Sequence, residues 1–345
     1  MAGPVNAAPK AGPVVCFGEM LLRLSPRPGT PLASANCLEM AAGGAEANVA
    51  IALASLGWPT RMVTALPDNP LARRAIGQLR FAGVDCKFIE QGEGRIGLYF
   101  FEPPSGPIGG RVTYDRAGSA FAESSQEAFD FTAALEGASL LHMSGITPAL
   151  GHAGVELARG AIAAAINAKV PICFDGNYRA NLWDAWDSNP RAILTELVAE
   201  AHILIGNHRD ISLLLGKTFS GDGPDRRREA AEAAFATFPK LEVIASTARH
   251  IESATSNRLA ARVDLREAHW QTEEVRIAAI VDRIGTGDAF AAGVLLRWLE
   301  SGSAQDMAKS GLALAAMKHG VPGDSIGVTR NDLETFDPGG SDVSR

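Results

Sequence analysis

Gly285-Thr286-Gly287-Asp288 stands directly before an Ala/Leu-rich segment that reads as a helix, Ala289 to Glu300. The leading N–H groups of a helix have no intrahelical acceptor, and the helix dipole adds positive potential at the same end. Glycines let a ligand approach the backbone closely, so such a turn can hold an anion. A carboxylate there commonly caps the helix. Two glycines around Thr286 exceed what capping needs, and a phosphate held by the turn leaves Asp288 facing an attacking alcohol. That is the arrangement of a general base for phosphoryl transfer. The amides of Gly285, Thr286 and Gly287 would stabilise charge on the group in flight.

Other residues suit a sugar acid as the acceptor. Arg116 follows the strand-like Arg111–Asp115, and Tyr99 and Tyr114 lie on two strand-like stretches. An arginine fork with phenol donors matches a carboxylate and a keto oxygen. The same pattern is satisfied by a solvated loop arginine beside tyrosines that merely pack. Gly44 and Asn48 open a helix, where they bind sugar hydroxyls or serve a close helix–strand contact. Arg179 lies just past the strand end Ile172–Asp175, the rim position for ligands in an open parallel sheet, or it pairs with Asp175. Asn207 caps a helix over Arg209–Leu215 or reaches a ligand.

The elements that must position these residues alternate along the chain. Apolar runs at Val14–Phe17, Arg61–Ala65, Leu140–Ser144, Pro171–Asp175, Ile203–Ile205 and Val243–Thr247 are separated by helical segments. Those include Ala45–Leu56, Pro70–Phe81, His152–Ala168, Ala192–Ala199 and Asp225–Phe238. Such alternation predicts an α/β fold, a three-layer core around a mainly parallel sheet. Gly97–Glu102 and Arg111–Asp115 have no helix between them and are expected to pair antiparallel outside that sheet. The expected organisation is a core of 14–23, 43–95 and 119–335, a β lid of 24–42 and 96–118, and disordered tails over 1–13 and 337–345. An exposed apolar face on the lid would favour a homo-oligomer.

Composition narrows the function classes. Apolar residues make up 46% of 345 and charged residues 21%, the proportions of a folded globular chain. A net charge of −7 argues against nucleic acid as partner, and no apolar run is long enough for a membrane helix. Cys16, Cys37, Cys86 and Cys173 are too scattered for a zinc ribbon or a disulfide framework. Met1–Pro13 has no apolar signal core, so a cytoplasmic location is expected. Gly92-Glu93-Gly94-Arg95-Ile96-Gly97 has dinucleotide-motif spacing but precedes a strand instead of opening a helix, which removes the dehydrogenase reading. Gly216-Lys217-Thr218 lacks the first P-loop glycine, and no hydrolase elbow or zincin helix is present.

Two separated segments carry a family resemblance. Asp282-Arg283-Ile284-Gly285-Thr286-Gly287-Asp288 is similar to the C-terminal signature of the ribokinase-like (PfkB) carbohydrate kinases, and Gly43-Gly44-Ala45-Glu46-Ala47-Asn48 to their N-terminal one. Within the family the chain most resembles the 2-keto-3-deoxygluconate kinases. The segments are Gly97–Phe100, Tyr114–Ala120, Ser144–Pro148, Phe174–Arg179 with Leu182-Trp183, and Lys318–Asp324. The resemblance implies transfer of the ATP γ-phosphate to the 6-hydroxyl of the keto-deoxy acid, with Mg2+ required. It implies substrate contacts from Gly44, Asn48, Tyr99, Tyr114, Arg116, Ile146, Arg179, Asp288 and Asp324. Nucleotide contacts are implied for Asn177, Arg179, Asn207, Ser246, Thr247, Arg249, Gly285 and Gly287, and for Asp210 a contact to magnesium through water. Two departures stand out. Ala245-Ser246-Thr247-Ala248-Arg249-His250 replaces a lysine–glycine motif found in many members, and Thr286 replaces a smaller residue. Open alternatives are a kinase for fructose, ribose, tagatose 6-phosphate or 2-keto-3-deoxygalactonate, and a catalytically silent sugar-binding protein on the same fold.

Overall fold

The structure is a computed structural model and describes residues 11–106 and 108–337. Most of both expected tails, 1–10 and 338–345, lies outside the described residues; Gly12 and Pro13 lie inside, tied down through their carbonyls by Trp58 Nε1 and by Ser139. The strands in chain order are β1 Val14–Phe17, β2 Leu21–Ser25, β3 Glu39–Gly43, β4 Thr60–Leu66, β5 Ile89–Gln91, β6 Gly97–Glu102 and β7 Arg111–Asp115. They continue with β8 Leu140–Ser144, β9 Ile172–Asp175, β10 Ile203–Ile205, β11 Val243–Ser253, β12 Ser256–Leu265, β13 His269–Gln271 and β14 Val275–Ile277.

Strands β11-β10-β9-β8-β1-β4-β5 run parallel in that order, each joined to the next by hydrogen bonds. Alternate side chains of a strand point to opposite faces. In β1, Val14 and Cys16 enter one apolar core while Val15 and Phe17 enter the other. The first core is closed by the helices Ala45–Ser55, Thr286–Leu299 and Ala304–Lys318, the second by helices that include His152–Ala168 and Gly223–Thr237. Helices therefore cover both faces, the three-layer α/β arrangement that the alternation predicts.

One edge of the sheet departs from expectation. The apolar run ends at Thr247, yet β11 continues to Ser253, because β12 pairs with it antiparallel along almost its whole length. β13 and β14 add to β12, also antiparallel. A strand whose outer half is exposed carries no apolar signal. Its hydrogen-bond ladder alone sustains it.

A second sheet of order β3-β2-β6-β7 stands apart from the first. β6 and β7 pair antiparallel as expected, with Tyr99 opposite Tyr114. β2 pairs parallel with β6 and starts at Leu21, so only Gly18, Glu19 and Met20 separate the two sheets along the chain. Among the described residues no helix is long and apolar enough to cross a membrane.

Candidate active site

A cavity of about 1100 Å³ lies where the C-terminal ends of β1, β8, β9 and β10 meet the second sheet. Strand ends of an open parallel sheet collect ligands because the loops that follow them are free to vary. Glu19, Ile146, Asn177, Arg179, Asn207 and Asp210 come from those ends, and Leu21, Tyr99 and Tyr114 from the second sheet. Gly44, Asn48, Arg116, Ser246, Thr247, Arg249, Asp324 and the whole turn Gly285–Asp288 line the same space.

The turn is tighter than the sequence suggests. The helix begins at Thr286, with Gly285 as its N-cap in the left-handed region at φ 77°. A Cβ there would lie 1.7 Å from the Asp324 carbonyl oxygen, so only glycine fits. The amides of Gly285, Thr286, Gly287 and Asp288 find no acceptor among the described residues, and the first intrahelical bond is Ala289 N to Gly285 O at 2.9 Å. The Thr286 hydroxyl donates back to the Arg283 carbonyl at 3.0 Å, which keeps its extra bulk off the amides. This helix end presents donors without acceptors, the polarity an anion needs.

Asp288 projects from the first helical turn and is anchored by Asn48, whose Nδ2 donates to its Oδ2 at 2.7 Å. Desolvation pushes the carboxyl up to about 6; the Asn48 bond and the Arg179 charge oppose that rise. Gly44 lets the Asn48 helix start close to the first strand: at φ 140° its Cβ would come within 2.5 Å of the Glu19 carbonyl oxygen.

The residues expected to face the sugar are paired inside the protein. Arg116 is 7% exposed, so it is no solvated loop residue. Its Nε and Nη2 donate to Glu19 Oε2 at 2.6 and 2.5 Å, and Ser119 donates to Glu19 Oε1 at 2.6 Å. The guanidinium expected to serve a substrate carboxylate thus already carries an internal counter-charge, and its plane lies 5.7 Å from the Tyr114 ring centroid. The Tyr99 hydroxyl donates to Asp324 Oδ2 at 2.5 Å. Burial raises Asp324 to about 6, against the pull of Arg23 and the Tyr99 bond.

The opposite end differs. Arg179 is exposed and makes no ion pair among the described residues, so the alternative of a bridge to Asp175 does not hold. Asn177 sits at φ 38°, with its amide donating to Asp175 Oδ1 at 3.1 Å. Asn207 and Asp210 form a reciprocal cap: Asn207 Oδ1 accepts from Arg209 N at 2.8 Å and Asp210 Oδ2 accepts from Asn207 N at 2.7 Å. The capping alternative is therefore present, and it occupies one of the two Asp210 oxygens. Ser246, Thr247 and Arg249 reach the cavity from β11.

Several wall residues escape a reading of the sequence. Glu19 sits at the end of β1, a rim position that could have flagged it. Glu46 is 1% exposed beside Gly18 and lines the cavity; desolvation pushes it up to about 7, and its Oε1 has no hydrogen-bond partner among the described residues. Within an alanine-rich helix start it has no distinguishing local pattern. Asp175 is likewise raised by burial and by the Asp288 and Asp210 charges.

Similarity to known proteins agrees with this geometry. The profile of the pfkB family carbohydrate kinases matches residues 12–330. The chain is 33% identical to a 2-dehydro-3-deoxygalactonokinase of Haloferax volcanii, over 95% of this chain and 97% of that one. It is 26% identical to a 2-dehydro-3-deoxygluconokinase of Bacillus subtilis, over 93% and 94%. A solved 2-dehydro-3-deoxygluconokinase of Thermotoga maritima superposes with a TM-score of 0.88 at 34% identity, covering 94% of this chain and 98% of that one. With a helix end rich in free donors and an anchored aspartate in one cavity, and a family match over almost all of its length, the chain belongs to the pfkB family of carbohydrate kinases.

Proposed function

We propose that this kinase transfers the γ-phosphate of ATP to the 6-hydroxyl of 2-keto-3-deoxygluconate. One observation carries the reading: Asp288, anchored by Asn48, stands on a helix end whose leading amides lack acceptors, in one cavity with Arg116 and Arg179. Asp288 takes the hydroxyl proton as O6 attacks phosphorus; the O6–P bond forms, the bond to the β-phosphate oxygen breaks, and ADP leaves. The amides of Gly285, Thr286 and Gly287 receive the equatorial oxygens without reorganising. Arg179, Asn177, Asn207, Ser246, Thr247 and Arg249 hold the nucleotide phosphates. At the sugar end Arg116 and Tyr114 take the carboxylate and keto oxygen, Gly44, Asn48, Tyr99 and Asp324 the hydroxyls, and Ile146 packs against the carbon chain.

Magnesium fits as a hard cation. Asp175 and Asp210 offer carboxylate oxygens in the cavity wall, while among the described residues no group of three His, Cys, Asp or Glu side chains is placed to hold a metal. That suits an ion carried by phosphates and water with one or two carboxylates. It would supply charge neutralisation between the phosphates.

ADP release measured across a sugar panel tests the proposal. Turnover with 2-keto-3-deoxygluconate should exceed that with fructose, ribose and tagatose 6-phosphate by at least about 100-fold in kcat/KM, the discrimination expected of a site built to hydrogen-bond a group that the competing sugar lacks. Preference for a neutral sugar would overturn it. The similarity to the Haloferax volcanii enzyme favours a second reading, the C4 epimer 2-keto-3-deoxygalactonate, and the same panel separates the two.

A further inference from the structure

Arg23 lies on β2 of the second sheet, outside the cavity wall, and its side chain is 9% exposed. Its Nη1 is 2.7 Å from Asp282 Oδ2 and 3.2 Å from Asp324 Oδ1, and its guanidinium lies 5.5 Å from the Phe101 ring centroid on β6. Both carboxylates belong to the scaffold of the anion-binding turn. Asp282 Oδ1 accepts from Ile284 N at 2.9 Å and Oδ2 from Gly323 N at 3.1 Å, so one side chain joins the segment entering the turn to the segment behind it. Asp324 supplies the carbonyl oxygen packed against Gly285, and its carboxylate is also held by Tyr99 of β6. Lys318, fully buried, donates to Val321 O at 2.8 Å in the same loop and adds a second cation.

Two buried carboxylates that flank one turn repel each other unless a cation lies between them. Both Arg23 contacts are charge contacts of one nitrogen, Nη1, without hydrogen-bond geometry to either carboxylate. A planar guanidinium holds that nitrogen in place, where an ammonium is a point charge on a flexible stem. We propose that Arg23 is a positioning residue, a bridge from the second sheet through Asp282 and Asp324 that fixes the direction of the Gly285–Asp288 amides. It touches neither substrate. The inference rests on the reading of that turn as the phosphoryl-binding element.

Arg23→Lys and Arg23→Gln test it with two readouts. The first needs no activity: amide hydrogen exchange over 21–25 and 283–288 in the ligand-free protein. In Arg23→Lys, which keeps a cation and the fold, exchange should rise together in both segments, by about 10-fold or more. The second is kinetic: kcat should fall roughly 10- to 100-fold while the KM for ATP stays within about twofold, the signature of misdirected groups with intact binding. Arg23→Gln should do both more strongly; if it does not fold, Arg23→Lys decides. Faster exchange in β2 alone or in neither segment, or an unchanged kcat, overturns the bridge. A wild-type protein inactive on every 2-keto-3-deoxy acid would instead overturn the substrate reading and leave the exchange result standing.

Discussion

The two ends of the cavity are built on opposite principles. At the end proposed for the sugar the charged and phenolic groups are paired inside the protein: Arg116 with Glu19, Tyr99 with Asp324, Asn48 with Asp288. At the end proposed for the phosphates four consecutive amides have no acceptor and Arg179 no ion pair among the described residues. A sugar offers many weak hydrogen-bonding groups whose positions must be told apart, and mutual pairing fixes donors and acceptors in place before it arrives. A nucleotide brings concentrated negative charge, and any internal counter-ion there would have to be displaced. On the proposed reading, rigidity would serve selection at one end and unmet polarity binding at the other.

Removing the proposed base, which joins both ends, should have the largest effect. Asp288→Asn should lower kcat by about 10²–10⁴-fold with sugar affinity retained, checked by steady-state kinetics and equilibrium binding. In the wild type, kcat should rise with pH through about 6, because the buried carboxyl must lose its proton before it can accept another. A flat profile from pH 5 to 8 would remove Asp288 from proton transfer. Next comes the unpaired end. Gly285→Ala forces a Cβ against the Asp324 carbonyl and disfavours the positive φ, so misaligned amides should cost about 10²–10³-fold in kcat. A variant with normal turnover would show that the turn does not hold the phosphoryl group.

Arg116→Ala addresses the paired end. The KM for sugar acids should rise by about 10-fold or more and that for neutral ketoses much less; equal losses would confine Arg116 to its bridge with Glu19. The smallest effect concerns stability. Glu46 holds its proton to about pH 7 in the folded state and to about 4.5 in the unfolded chain, so stability falls as pH rises between those values. The penalty is on the order of 3 kcal/mol at most. Glu46→Gln should therefore raise Tm at pH 8 but not at pH 4, which a pair of melting curves would show.

Much of this was legible from local pattern. The helix His152–Ala168 follows from its apolar spacing, the β6–β7 hairpin from two strand-like runs with no room for a helix, and the tight turn at Gly285 from glycines placed before a helix. What stayed hidden depends on partners far apart in the chain. Nothing near Arg116 announces that Glu19 neutralises it, and nothing near Arg23 points to Asp282 or Asp324. The outer half of β11 is invisible for the same reason, since it exists through its register with β12. Helix ends and turns are written in neighbouring residues, whereas electrostatic pairing is written in topology.

The passage from β1 to β2 takes only Gly18, Glu19 and Met20, and Glu19 is the counter-ion of Arg116. The short joint between the two sheets is therefore also the anchor of the guanidinium proposed to meet the substrate carboxylate. Any change in that joint moves Arg116 with it, because a single carboxylate ties the two together.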